Sequence, residues 1–236
     1  MARRILVLGA KPDPVLPPAD SFDAVVCANA SGHSAAALGL PEPIFTVLTA
    51  LLTDGSDAGR MRLASLEGLA TGTVYYYPQR LRGGSPLART LFRLRTWRTL
   101  PFMLRRALAR AGFRYDRFVE RTTAEYRALL VRLCGNDAEV AAQLERKQAS
   151  SGTLAVALAL AEPEVERVVM SGFSFELTQA AGTDPNIARR GTTASKHTPT
   201  DLLVLRALAR HHPQLATTEP VVHALAGVPL LGPARR

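Results

Sequence analysis

Ser150-Ser151-Gly152-Thr153 stands directly before the apolar run Leu154 to Leu160, an order of residues suited to holding an anion. A helix that starts at two serines and a glycine offers unpaired backbone N–H groups and the positive end of its dipole. The glycine lets a phosphate or carboxylate come close to the main chain. Further on, Val168-Val169-Met170-Ser171-Gly172-Phe173-Ser174-Phe175 reads as a buried strand ending in a small-residue loop. About twenty residues later comes Lys196-His197-Thr198-Pro199-Thr200-Asp201. A histidine just before a proline-started helix sits where a loop brings an imidazole over the anion site, and an imidazole near neutrality is suited to take a proton from an alcohol. Asp201, in the first turn, favours the helix dipole and either fixes the helix start or orients His197. Each residue also has an ordinary role open to it: Ser151 as a helix N-cap, His197 as an exposed loop residue. Taken together, the two segments point to a group-transfer enzyme.

The elements that must position these groups alternate along the chain. Apolar runs at Ile5 to Leu8, Ala24 to Cys27, Ile44 to Leu48, Thr73 to Tyr77 and Val168 to Ser171 read as buried strands. Helical patterns span Asp57 to Leu69, Pro86 to Ala111, Thr122 to Cys134, Asp137 to Lys147, Gly152 to Ala161, Thr200 to His211 and Val221 to Ala226. Apolar strands interleaved with helices imply an α/β fold, a single Rossmann-like, doubly wound and mostly parallel sheet covered on both faces, with a small helical or lid subdomain. Ligands of such sheets sit outside the carboxyl ends of the strands, which gathers Gly9 to Lys11, Ala28 to Ser31 and the Gly172 loop on one rim.

A chain of 236 residues with 47% hydrophobic content buries a sizeable core, and one domain over 1–236 is expected. Its first apolar run is too short for a signal peptide or a membrane span, and Cys27 and Cys134 have neither disulfide-framework nor zinc-site spacing, so a reducing cytoplasm is expected. The net charge of +9 is concentrated: between Arg80 and Arg132 fourteen arginines face only Asp116, Glu120 and Glu125. Within that stretch Leu87, Leu91, Leu94, Leu100, Phe102, Met103, Leu104 and Leu108 mix with arginines at helical spacing, which reads as a basic amphipathic pair of helices in a basic helical insertion over 80–147. Such helices are either a solvated face or a surface attracted to an anionic membrane or charged glycan. Nucleic acid is not expected, because no nucleic-acid motif accompanies the charge.

The order strand, Gly-x-x-Pro loop at Gly9, strand ending near Asn29, helix opened by Ser150-Ser151-Gly152, strand ending Ser171-Gly172-Phe173-Ser174-Phe175, then His197-Thr198-Pro199-Thr200-Asp201 resembles the small bacterial sialyltransferases of glycosyltransferase family 42. The resemblance spans most of the chain in outline and is most specific from Ser150 to Asp201. It implies a metal-independent inverting transferase with a CMP-activated nonulosonic acid as donor substrate and no further cofactor. His197 would be the general base and Ser150, Ser151 and Gly152 would hold the donor carboxylate and phosphate region. Gly9 and Asn29 would contact the nucleotide, Gly172, Phe173 and Ser174 would line the base or ribose pocket, and Thr200 would be a further substrate contact. The family's first loop usually reads Gly-Asn-Gly-Pro-Ser, whereas here it is Gly9-Ala10-Lys11-Pro12-Asp13, so Lys11 stands in for the missing asparagine. The family's phosphate-binding tyrosines fall near Val169 and Glu176. Arg189, Arg190 and Lys196, on a mobile lid loop over 176–197, are the candidates to stabilise the leaving CMP in their place.

Two functional classes follow. One is a transferase moving sialic acid or a relative such as Kdo to a glycan or lipid-linked glycan acceptor at the inner membrane face. The other is a non-catalytic basic binding protein for anionic lipid or nucleic acid on a degenerate nucleotide-binding fold. An oxidoreductase or methyltransferase is disfavoured, because Gly9 opens no GxGxxG fingerprint.

Overall fold

Runs of Val, Ile, Leu and Ala without polar alternation form strands only where both faces of a sheet are covered, and the chain builds such a sheet. The computed structural model describes residues 3–79, 85–177 and 193–232. The strands are β1 (Arg3–Leu8), β2 (Ala24–Ala28), β3 (Phe45–Thr49), β4 (Ala70–Tyr77), β5 (Arg114–Glu120), β6 (Val165–Ser171) and β7 (Leu215–Thr217). They pair in the order β5-β4-β3-β2-β1-β6-β7, every pairing parallel. The chain therefore winds outward from β1 to β5 in one direction, returns to β6 and continues to β7 in the other. The reversal between β1 and β6 opens a crevice beyond their carboxyl ends, where ligands of doubly wound sheets bind.

Helices α1 (Ser31–Ala37), α2 (Asp57–Ala64), α3 (Pro86–Arg95), α4 (Pro101–Arg110), α5 (Thr123–Leu133), α6 (Ala138–Arg146), α7 (Ser151–Leu160), α8 (Thr198–His211) and α9 (Pro220–Ala226) cover the faces. Alternation along the strands sends Ile5, Val7, Val26, Val47, Val168 and Met170 to one side, where they pack with Leu154 to Leu160 of α7 and with Val204 and Leu208 of α8. α7 is apolar all round because it is covered all round, the expected state of such a helix. On the other side Leu48, Val74 and Tyr76 meet Leu104 and Leu108 of α4, while Leu8, Val25 and Cys27 meet Ala35 of α1. Cys27 and Cys134 are free and buried, and burial pushes both thiols up to about 12, which leaves them inert.

The structure departs from the sequence reading in three places. The 80–147 stretch is not wholly helical, because Arg114–Glu120 is the edge strand β5. Within Pro86 to Ala111 the chain forms a pair of helices, as the amphipathic pattern implies, broken at residues 96–100 because Pro101 lacks the N–H that a continuous helix needs and starts α4 as its first residue. The helix expected to reach Leu69 ends at Ala64. The short elements α1 and β7 were not expected. Among the described residues, no helix is long and apolar enough to cross a membrane.

Candidate active site

The crevice is closed at its floor by a backbone contact. Gly9 N donates to Ser171 O at 2.7 Å and Lys11 N to Gly172 O at 3.0 Å, which draws the loops after β1 and β6 together. A Cβ on Gly9 would lie 2.2 Å from Gly172 O, so only glycine fits there; Gly172 itself has φ of +75°. Beneath them lies a carboxylate that the sequence reading missed. Glu219, at the N-cap of α9, has a side chain only 1% exposed and accepts from Gly172 N (2.8 Å), Val15 N (3.1 Å) and Lys11 Nζ (2.7 Å). The expected phosphate contact Lys11 is thus held by a buried counter-charge, as a buried carboxylate requires. The signal was Thr217-Thr218-Glu219-Pro220, a carboxylate just before a proline-started helix, but the three-residue strand before it was too short to recognise.

The next layer ties β2, β3 and α7 together. Asn29 adopts a left-handed conformation with φ of 51°, which asparagine tolerates better than most residues. Its Oδ1 accepts from Thr49 N at 3.0 Å and its Nδ2 donates to Ser151 Oγ. Ser150 is the N-cap of α7, with its hydroxyl accepting from Thr153 N at 3.2 Å. The ordinary capping role thus belongs to Ser150, which leaves Ser151 to pair with Asn29. Phe173 packs against the partly open turn at Gly152, where a Cβ would meet its ring edge at 2.9 Å.

His197 completes the group. Its Nδ1 lies 3.0 Å from Gln148 O, and a carbonyl only accepts, so Nδ1 donates, and in the neutral imidazole the lone pair is then on Nε2. That is the tautomer a general base needs. Asp201 lies one turn into α8 and directs its carboxylate at the α7 entrance, where Oδ1 accepts from Ser150 N at 2.7 Å. Burial raises Asp201 to about 6, with the Ser150 and Thr153 hydrogen bonds and Lys147 opposing that rise. The observed contact is neither of the two roles expected of Asp201: it ties the start of α8 to the start of α7. Tyr77, at the carboxyl end of β4, donates to Ala149 O at 3.0 Å, and burial raises its phenol. Gln148 Nε2 donates to Pro78 O at 3.1 Å. The segment 148–150 is therefore fixed from β4, α8 and its own cap.

Gly9, Lys11, Asn29, Ser150, Ser151, Gly152, Gly172, Phe173 and His197 thus share the carboxyl rim. Ser174 lies on the loop beyond, accepting from Glu176 N at 3.4 Å. Thr200 does not face the rim: it is fully buried and accepts from Gln143 Nε2 at 2.8 Å. Val169, one of the positions aligned with a phosphate-binding tyrosine, is buried inside the sheet. Of the 176–197 segment, Glu176 bridges Ala194 and Leu177 N donates to Thr193 O at 2.6 Å, while Arg189 and Arg190 lie outside the described residues. Lys196 O accepts from Lys147 Nζ. Among the described residues no cluster of His, Cys, Asp or Glu is grouped as a metal site.

Solved structures share this arrangement of strands and helices. A tyrosine-to-phenylalanine variant of the sialyltransferase CST-II in complex with CMP superposes with a TM-score of 0.56 at 11% identity, over 98% of this chain and 87% of that one. The fold is similar to that of this sialyltransferase. An asparagine-to-alanine variant in complex with CMP gives 0.52 at 10% identity, over 98% and 87% of the two chains. The complex with trisaccharide acceptor and CMP gives 0.50 at 12%, over 97% and 86%. The similar enzyme CstII comes from Campylobacter jejuni. No protein-family model matches the chain, and no curated protein does.

Proposed function

We propose that the protein is a glycosyltransferase that uses a CMP-activated acidic sugar, sialic acid or a relative such as Kdo, and transfers it with inversion to a glycan or lipid-linked glycan acceptor. The observation that carries the reading is the imidazole of His197 held by Gln148 O, two residues before the Ser150 cap, so that a base and a helix N-terminus meet at the same rim. The neutral Nε2 takes the proton of the acceptor hydroxyl as that oxygen attacks the anomeric carbon, and the bond to the CMP phosphate breaks. The leaving group departs as an anion. The N–H groups of Ser151 and Gly152 at the start of α7 favour the donor's negative charge, and Arg189 and Arg190 are the residues assigned to the leaving phosphate. The fold likeness to a protein solved with CMP supports the donor class.

A second reading, a non-catalytic basic binding protein, draws on two observations. Lys11 is engaged by Glu219, and Val169 cannot reach a phosphate. CMP release separates the two. With CMP-sialic acid or CMP-Kdo and chelator present, wild type releases CMP from one donor. His197→Ala reduces the rate on the order of 100-fold or more, and Ser151→Ala reduces it less. No release, with no CMP binding by calorimetry, overturns the transferase reading.

A further inference from the structure

A strip of apolar side chains on the α3–α4 shoulder is outside rather than inside. Leu87, Leu91 and Leu94 fall at i, i+4 and i+7 on α3, the spacing of a face that normally packs on a core, yet they are 70%, 51% and 65% exposed. Trp97 (47%) and Phe102 (58%) continue the strip into the connecting turn and α4. α4 already buries its other side through Leu104 and Leu108, so it anchors the strip to the body of the protein. A run of five large exposed apolar residues is not the scattered pattern of an ordinary surface. Around it the charge is one-sided: Arg98, Arg106 and Arg110 are exposed and form no ion pair among the described residues, and Arg98 lies 5.7 Å from the Trp97 ring.

We infer that this shoulder docks the protein on an anionic phospholipid surface, with the Leu87–Phe102 strip in the interfacial layer and the arginines against headgroup phosphates. A second copy of the chain fits less well. A twofold contact would set Arg98, Arg106 and Arg110 against their own copies, whereas an anionic bilayer supplies opposite charge to all three. The strip also borders the carboxyl rim. Tyr76, near the end of β4, donates its hydroxyl to Thr99 O at 2.5 Å, and Arg98 reaches Gly55, which follows β3. Docking through the strip therefore brings the crevice close to the lipid surface, where a lipid-linked acceptor would be met. Docking does not depend on the transferase reading, and its test does not use activity.

Trp97 is the only tryptophan in the chain and reports on its own surroundings. Vesicles of equal parts phosphatidylglycerol and phosphatidylcholine should shift its emission to the blue and carry the protein down on sedimentation, and added salt should reverse both. Phosphatidylcholine alone should do neither. Arg98→Glu with Arg106→Glu should weaken vesicle binding at least about tenfold, at roughly one kcal/mol per arginine near such a surface. Leu87→Ser with Leu91→Ser should weaken it as well, with the thermal melt confirming the fold of each variant. Absence of shift and sedimentation with anionic vesicles overturns the inference, as does equal binding to both lipids. A lipid-free, concentration-dependent Trp97 shift with a dimer in sedimentation also overturns it and assigns the strip to a second copy.

Discussion

The carboxyl rim and the α3–α4 shoulder treat their residues in opposite ways. At the rim the polar and small residues are engaged inward: Gly9 against Gly172, Lys11 on Glu219, Asn29 on Ser151 and Thr49, Ser150 on Asp201. At the shoulder leucines and a tryptophan face water, and Arg98, Arg106 and Arg110 form no ion pair among the described residues. Inward ties explain why those rim residues are what they are without any ligand, so their identity alone argues for a shaped and rigid crevice. The fold does not explain the shoulder's composition, which is therefore the stronger pointer to something outside the chain.

The largest stability effect should come from the rim floor. Gly9→Ala would set a methyl group against the Gly172 carbonyl, which is backbone and cannot swing away. A loss of about 3 kcal/mol or more is expected, read as a lower urea midpoint. Next comes Lys11→Met, which strands the Glu219 carboxylate in a site that hides it from water and should cost roughly 2 to 3 kcal/mol. Adding Glu219→Gln to that variant should recover most of the loss, because the amide keeps an acceptor for Gly172 N and Val15 N without the charge. Failure of that recovery would mean that Lys11 acts chiefly on something other than Glu219.

How much was legible in the sequence follows from the same contrast. The central strands could be read because both their faces are buried and their apolar runs are unbroken. β5 was not, because an edge strand carrying Arg114, Asp116, Arg117 and Glu120 shows the charges that keep an edge from pairing with another chain. A serine cap at the start of α7 and the His197 helix start could be read from local turn chemistry, although the cap is Ser150 and not the expected Ser151. The ties that make them a site could not, because Asn29 to Ser151 and Lys11 to Glu219 join residues more than a hundred positions apart. The surroundings of Thr200 were not legible for a related reason: the motif gave its position in the helix but not its pairing with Gln143.

Asp201 allows a test of the tie between α8 and α7 through pH. Its folded value of about 6 lies above the ordinary 3.8, so between those values the folded state holds more protons than the unfolded one. Asp201 therefore lowers stability as pH rises through that window, by about 2 kcal/mol between pH 4 and pH 6. Asp201→Asn keeps an acceptor for Ser150 N and removes the titration, so the difference between variant and wild-type melting temperatures should grow across that range in the variant's favour. A constant difference would mean that Asp201 is not desolvated at the α7 entrance.

The smallest effect is the one that most sharpens the contrast. Leu87→Ser with Leu91→Ser removes two leucines, a change that inside a core would cost several kcal/mol. Leu87 and Leu91 are already largely in water, so the stability of the free protein should change by less than about 0.5 kcal/mol in urea titration. A loss approaching that of Gly9→Ala would mean that the strip packs against the protein itself, and the shoulder would then be as inward-looking as the rim. A near-zero loss leaves the leucines with no role in folding, and they must then serve a contact that the isolated chain does not make.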